Sequence, residues 1–266
     1  MRDDIIDTKE PSSGRMYDYY LGGSHNFQVD RDAADQVIKV LPFITKYCLL
    51  QRWALQDIAE EFAIRRGFDV IIDYASGLPT GDHIHTRVPE GTVVIYSDYD
   101  PTVVQYAQEI LADTPNVYFF QNDLVRPVEL LERPEVQKIL AGRRKVALSV
   151  WGVSGFLRDN ELSGAMQALY DWAAPGSVMA FNTQLMDINL KDPAIIALFA
   201  IYGAFGQDNN PRSTALFNKL TQPWKLDEKG WISLLDWHGF DQSILAQEDA
   251  AAFGPVGGGY GAYLTK

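Results

Sequence analysis

Residues 68–83 read FDVIIDYASGLPTGDH. An apolar run closes on a carboxylate, Asp73, and passes into a loop of small residues, glycine and proline. A run without polar alternation is what a parallel strand covered on both faces requires. Four more follow: TVVIYSDY (92–99), NVYFFQND (116–123), KVALSVWG (145–152) and SVMAFNTQ (177–184). Amphipathic segments lie between them, so the chain reads as successive βαβ units. Asp100 followed by Pro101 predicts a capped helix, and Asp159 or Asn160 opens another that stops before Pro175-Gly176. Pro134 divides RPVELLERPEVQKILAG (126–142) into two short helices.

The ends of the chain differ from this pattern. Residues 30–66 hold two helices ahead of the first strand, and about 186–235 reads as a helical insertion after the fifth. The closing segments DQSILAQ (241–247) and GGYGAYLTK (258–266) suggest an antiparallel hairpin. The expected architecture is α/β: a Rossmann-like doubly wound sheet of seven strands, mostly parallel, with an antiparallel last strand. Residues 1–66 precede a Rossmann-like domain at 67–266.

Composition narrows the function classes. With 266 residues, 47% of them hydrophobic, the chain can bury a sizeable core. Its net charge of −12 opposes a phosphate-backbone footprint, so nucleic acid is not an expected partner. The first ten residues, MRDDIIDTKE, are charged where a secretory signal needs an apolar run, and PAIIALFAIYGAFG (193–206) is too short to span a bilayer. A cytoplasmic protein without a membrane partner is expected. The one cysteine, Cys48, has no partner for an internal disulfide and reads as a small core residue.

In a doubly wound sheet the ligand crevice lies at the carboxyl ends of the strands, beside the switch point. The loop after the first strand departs from a dinucleotide-binding turn: Ala75 stands at the first glycine position, Pro79 removes an N–H, and Asp73 and Asp82 add negative charge. Such a loop repels a diphosphate and suits a cationic ligand such as S-adenosylmethionine, with its sulfonium and ammonium groups. Asp73 would face the amino group, while Ala75, Ser76 and Gly77 would allow close approach. An ordinary βα turn would need the same small residues. Asp98 ends the second strand, where a carboxylate can accept from ribose hydroxyls, and Tyr99 can lie on an adenine face. Asp123 ends the third, where it can accept from the adenine amino group beside the Leu124 N–H.

The segments RMYDYYLGGSHNFQVDRDAADQVI, IIDYASGLPT and IYSDYDPTVVQYAQEIL resemble a group of class I S-adenosylmethionine-dependent methyltransferases long labelled a domain of unknown function. That group's pattern runs approximately R-x-Y-D-Y-x-L-G-G-x-x-N-F, D-x-G-x-G-L-P-T and V-D-x-D-P. The likeness covers Arg15 to about Asn182; Ala75 departs from it where glycine is usual. It implies S-adenosyl-L-methionine as cofactor, and the acidic charge favours a small-molecule methyl acceptor. It also implies that Asp73, Ala75, Ser76 and Gly77 hold the methionine part, Asp98 and Tyr99 the ribose and adenine edge, and Asp123 and Leu124 the adenine.

With an adenosyl pocket at the strand ends, DYYLGGSHNF (18–27) reads as part of a lid within residues 1–66. Tyr17 and Tyr20 would supply apolar cover, Gly23 close approach, and His25 and Asn26 would face the ligand. Trp151, after the fourth strand, would border the cofactor, and a core position suits it equally. No residue stands out as a general base; His25 is the weak candidate. His83 and His85 lack a third ligand at metal spacing, so no metal is expected. Two alternatives stay open: a protein that binds the cofactor without transferring methyl, and, disfavoured by Pro79 and Asp82, a nicotinamide-dependent oxidoreductase.

Overall fold

The computed structural model describes residues 9–239, 246–247 and 259–266. Five parallel strands form where the apolar runs predict them: β1 (Val70–Tyr74), β2 (Val93–Asp98), β3 (Val117–Gln121), β4 (Ala147–Val150) and β5 (Val178–Thr183). Every residue of β1, β2, β4 and β5 is buried, which explains why their sequences never alternate. The edge strand β3 is only half buried. The antiparallel closing strand is β8 (Tyr260–Thr265), and two short strands, β6 (Lys225–Leu226) and β7 (Ile232–Ser233), also pair with it. Strand order is β3-β2-β1-β4-β5-β8-β6. The mostly parallel sheet with an antiparallel closing strand is as expected, but among the described residues it has eight strands where seven were expected, because β6 and β7 form in a stretch the sequence does not mark as strand. Most of the expected first hairpin arm, 241–247, lies outside the described residues, as do residues 1–8 of the N-terminal segment.

Alternation along each strand sends side chains to two layers. Val70, Ile72 and Tyr74 pack with helices α5 (Pro127–Leu131), α6 (Pro134–Leu140), α7 (Asp159–Trp172) and α9 (Thr214–Leu220) on one face. Ile71 faces α3 (Ile44–Glu60) and α4 (Pro101–Ile110) on the other. Asp100 caps α4 by accepting from Thr102 N at 2.8 Å, and Pro134 starts α6 after the break, both as predicted. The N-cap of α7 is Arg158, one residue earlier than expected, because Glu161 reaches back to its N–H at 2.8 Å.

A third cluster lies beyond the sheet. It joins α1 (Ser13–Tyr20), α2 (Gln28–Val40) and α8 (Pro193–Gly203) through Met16, Tyr20, Ala34, Val37, Leu198 and Tyr202, with Cys48 buried among them. Among the described residues no helix is long and apolar enough to cross a membrane. The insertion is pinned down by buried Arg212, whose guanidinium donates to Ser154 O (2.8 Å), Leu157 O and Asp159 Oδ1 (2.8 Å). Asn210 N donates to Gly155 O at 2.8 Å, so residues 206–212 lie along the loop that leaves β4.

Candidate functional site

β1 and β4 are neighbours whose following strands run off in opposite directions, so a crevice opens where their carboxyl ends diverge. A cavity of about 490 Å³ occupies that position, within the range of small-ligand sites. Ala75, Ser76, Gly77, Asp98, Tyr99, Asp123, Leu124 and Trp151 line it, as do Tyr17 and Tyr20 from α1.

The turn after β1 is built for close approach. Gly77 has φ +63° and nothing within 4 Å of where a Cβ would stand, so its bare side is open space. Ala75 has φ +52°, a left-handed conformation that costs a residue with a Cβ about 1–2 kcal/mol. That is the physical content of the departure from glycine: the alanine adopts the glycine conformation and bears its strain. Ser76 N donates to Ser97 O at 2.9 Å and ties the turn to β2.

Asp98 organises the next strand end. Its two carboxylate oxygens accept from Gly77 N and Asp100 N, each at 3.0 Å, leaving further lone pairs free. Burial pushes its carboxyl up to about 6, opposed by those two N–H donors. Tyr99 is 55% exposed at the rim. Asp123 Oδ1 accepts from Val125 N at 3.0 Å, and beside it Asn122 is buried with an unpartnered Oδ1.

Asp73 lies beneath the cavity wall, not on it. The residue is 1% exposed, its Oδ2 has no hydrogen-bond partner among the described residues, and burial raises its carboxyl to about 7 against the pull of Ser149 and Arg52. Nearby His83 is fully buried and held neutral by desolvation. Its Nδ1 accepts from Ile84 N at 2.9 Å, which leaves Nε2 to donate to Ser76 O at 3.3 Å. His85 is engaged with the Tyr96 hydroxyl at 3.0 Å.

The glycine-pair segment is not brought to the cavity. Gly23, His25 and Asn26 are absent from its wall and wrap Asp18 instead. Asp18 Oδ2 accepts from His25 N and from Asn26 Nδ2, both at 2.8 Å, and Asn26 Nδ2 also donates to Gly23 O at 3.0 Å. A Cβ on Gly23 would stand 2.0 Å from Asp18 Oδ1, so the glycine makes room for a carboxylate of its own chain. The His25 ring packs edge-on against Tyr106 of α4, with the ring centroids 5.1 Å apart, and does not line the cavity. The preceding Arg15 is likewise structural, donating to Asp30 Oδ2 (2.8 Å) and Asp100 Oδ2 (3.3 Å) and so joining α1 to α2 and to the start of α4.

Several wall residues escape a reading of strand ends. α3 contributes Tyr47, Cys48, Gln51 and Arg52, and the β4 loop and α8 contribute Phe156 and Tyr202. Gln51 donates to Asn182 Oδ1 (2.9 Å) and to the Tyr47 hydroxyl (3.1 Å), and its carbonyl accepts from Trp151 Nε1 (3.2 Å). The signal was present in KYCLLQRWAL: Gln51 and Arg52 sit at helical spacing on the stripe of Cys48, Leu55 and Ile58, polar residues where the core pattern calls for apolar ones.

Burial raises the tyrosine hydroxyls of Tyr17, Tyr20, Tyr47 and Tyr202 and the Cys48 thiol far above their ordinary ranges, so these side chains stay uncharged. The cavity thus has a polar end at β1–β3, bordered by the Arg52 guanidinium of α3, and an aromatic end of uncharged side chains from α1, α3 and α8.

Solved structures resemble the chain over nearly its full length. A Thermobifida fusca YX protein described as a candidate methyltransferase shares 25% identity over 97% of this chain and 95% of its own, with a TM-score of 0.83. A DUF574 family protein from Streptomyces avermitilis MA-4680 shares 25% over 98% and 99%, with a TM-score of 0.82. An O-methyltransferase family 2 protein from Planctomyces limnophilus DSM 3776, in complex with apigenin, is 12% identical over 90% and 66% (TM-score 0.52) and shows the fold alone. No curated protein matches the chain. The family model described as S-adenosyl methyltransferase matches residues 1–259, and the protein accordingly belongs to that family, whose members use S-adenosyl-L-methionine as methyl donor.

Proposed function

We propose that the protein transfers the methyl group of S-adenosyl-L-methionine to a small-molecule acceptor held in the aromatic end of the cavity. The observation that carries this reading is one continuous cavity with two chemistries: carboxylates and open backbone at the strand ends, uncharged aromatic wall beyond them. The polar end fits the donor. Asp98 offers free lone pairs to a ribose, Gly77 offers bare backbone, and Asn122 Oδ1 offers a buried acceptor without a partner. When bound, the donor supplies an electrophilic methyl on a sulfonium.

In this reading Asp98 accepts from the ribose and Tyr99 covers the adenine. Asn122, Asp123 and Leu124 meet the adenine edge. Ala75, Ser76 and Gly77 approach the methionine part, and Trp151 borders it, with Asp73 acting through its charge from below. Gly23, His25 and Asn26 are left out of the cofactor set in this reading, because they are off the cavity wall and turn around Asp18, whose carboxylate accepts from His25 N and Asn26 Nδ2. The cover role within residues 1–66 passes to Tyr17 and Tyr20 of α1 and to α3, with the domain at 67–266 supplying the sheet and the insertion.

The aromatic wall supports a neutral acceptor of modest size. Phe156, Tyr20, Tyr202 and Cys48 offer flat apolar contact with hydroxyls that stay protonated. The carboxylates on the cavity wall are Asp98, Asp123, Glu161 and Asp208, and the last two sit with Arg158 at the mouth. Asp98 and Asp123 belong to the polar end and the other two to the mouth, so none serves the aromatic end as a base. An acceptor that attacks through a lone pair already free needs none there. Alignment of nucleophile and methyl is then the main contribution, worth up to about 7–11 kcal/mol of barrier in well-oriented systems. Incubation with methyl-labelled S-adenosylmethionine and a panel of uncharged aromatic and heterocyclic acceptors checks this: label should appear in a small-molecule product. Transfer confined to nucleic acid or protein would overturn the reading.

A further inference from the structure

Arg52 is the most unusual side chain on the cavity wall. It projects from the middle of α3, its side chain is 2% exposed, and a guanidinium is charged at every physiological pH. Its Nε and Nη1 have no hydrogen-bond partner among the described residues. The contacts it does make are weak: Nη2 donates to Leu78 O at 3.4 Å, and Nε stands 3.8 Å from Asp82 Oδ1, on a side chain itself 44% exposed. Tyr17 covers one face of the guanidinium, 5.5 Å from its ring centroid. A buried cation with unused donors costs several kcal/mol unless an anion completes it. Among the described residues none supplies one at hydrogen-bond distance.

Position identifies the missing anion. Leu78 directly follows the Ala75–Gly77 turn, so Arg52 sits at the methionine end of the cavity and away from the adenine end at Asn122 and Asp123. The planar fork of arginine matches a carboxylate through two parallel N–H donors. We infer that Arg52 is the carboxylate anchor of this protein, holding the α-carboxylate of the methyl donor and thereby fixing where its sulfonium lies. This rests on the proposed reading that the polar end of the cavity takes S-adenosylmethionine.

Calorimetry with two ligands tests it: S-adenosylhomocysteine and its decarboxylated analogue, which keeps adenosine, thioether and amine. The wild-type chain should bind S-adenosylhomocysteine at least tenfold more tightly than the analogue. Arg52→Gln should weaken S-adenosylhomocysteine by about 10- to 100-fold, the scale for a hydrogen-bonded charge pair, and leave the analogue within about twofold. Arg52→Lys should recover part of the loss. Equal weakening of both ligands would overturn the inference and mark Arg52 as structural. If Arg52→Gln does not fold, the wild-type comparison decides: equal affinity for the two ligands also overturns it. Failure of the wild-type chain to bind either ligand would instead overturn the donor reading itself.

Discussion

At the scale of the residue, the site depends on carboxylates held where water cannot reach them. Asp73 and Asp98 are raised to about 7 and about 6 by burial, from an unfolded value of ~3.9. Between about pH 4 and 7 the native chain holds protons that the unfolded chain has released. Their contribution to stability is therefore full below about pH 4 and is lost as pH rises through that window, by up to ~1.4 kcal/mol per pH unit for each group. Asp73→Asn should flatten the fall in unfolding free energy measured by urea titration from pH 4.5 to 7.5. An unchanged slope would mean that Asp73 titrates normally. Asp73 was legible in the sequence as a carboxylate ending an apolar run. Its place beneath the wall was not, because strand alternation fixes a face but not how far the following loop folds over it.

Elements were readable to unequal degrees. The strands declared themselves because a run such as VIIDY has no face to spare for water, and α4 did so through Asp100 and Pro101. The segment LGGSHN signals a turn, but nothing local says what the turn encloses. It encloses Asp18, a residue of the same motif, and so serves to latch α1 to α2. Arg52 stayed hidden for the opposite reason: one charged residue on an otherwise apolar helix stripe is visible, yet only tertiary structure shows that its donors go unused. The latch gives a direct prediction. Gly23→Val forces a Cβ into the Asp18 carboxylate and should cost about 1–3 kcal/mol of stability, the scale of overpacking, read from chemical denaturation. Cofactor affinity of the folded variant should stay within a few-fold of wild type. Full stability with lost affinity would return the turn to the cavity.

Across the whole molecule, three packed clusters meet at one place. The two layers on the sheet set the strand ends, and the third, of α1, α2 and α8, closes over them, with α3 reaching from the sheet to the cover. Arg212 and Asn210 hold the insertion against the β4 loop, so the aromatic end of the cavity is walled by segments distant in sequence. This explains why the polar end of the cavity could be read from spacing while the aromatic end could not: the first is a local property of strand termini, the second an assembly of four separate regions. The central claim is that the donor lies along the strand ends with its ribose on Asp98. Isothermal titration of S-adenosylmethionine at pH 7.5 into the wild-type chain and Asp98→Ala tests it most directly. The account predicts one site per chain, weakened in the variant by about 1–3 kcal/mol; equal affinity in the two proteins would contradict it.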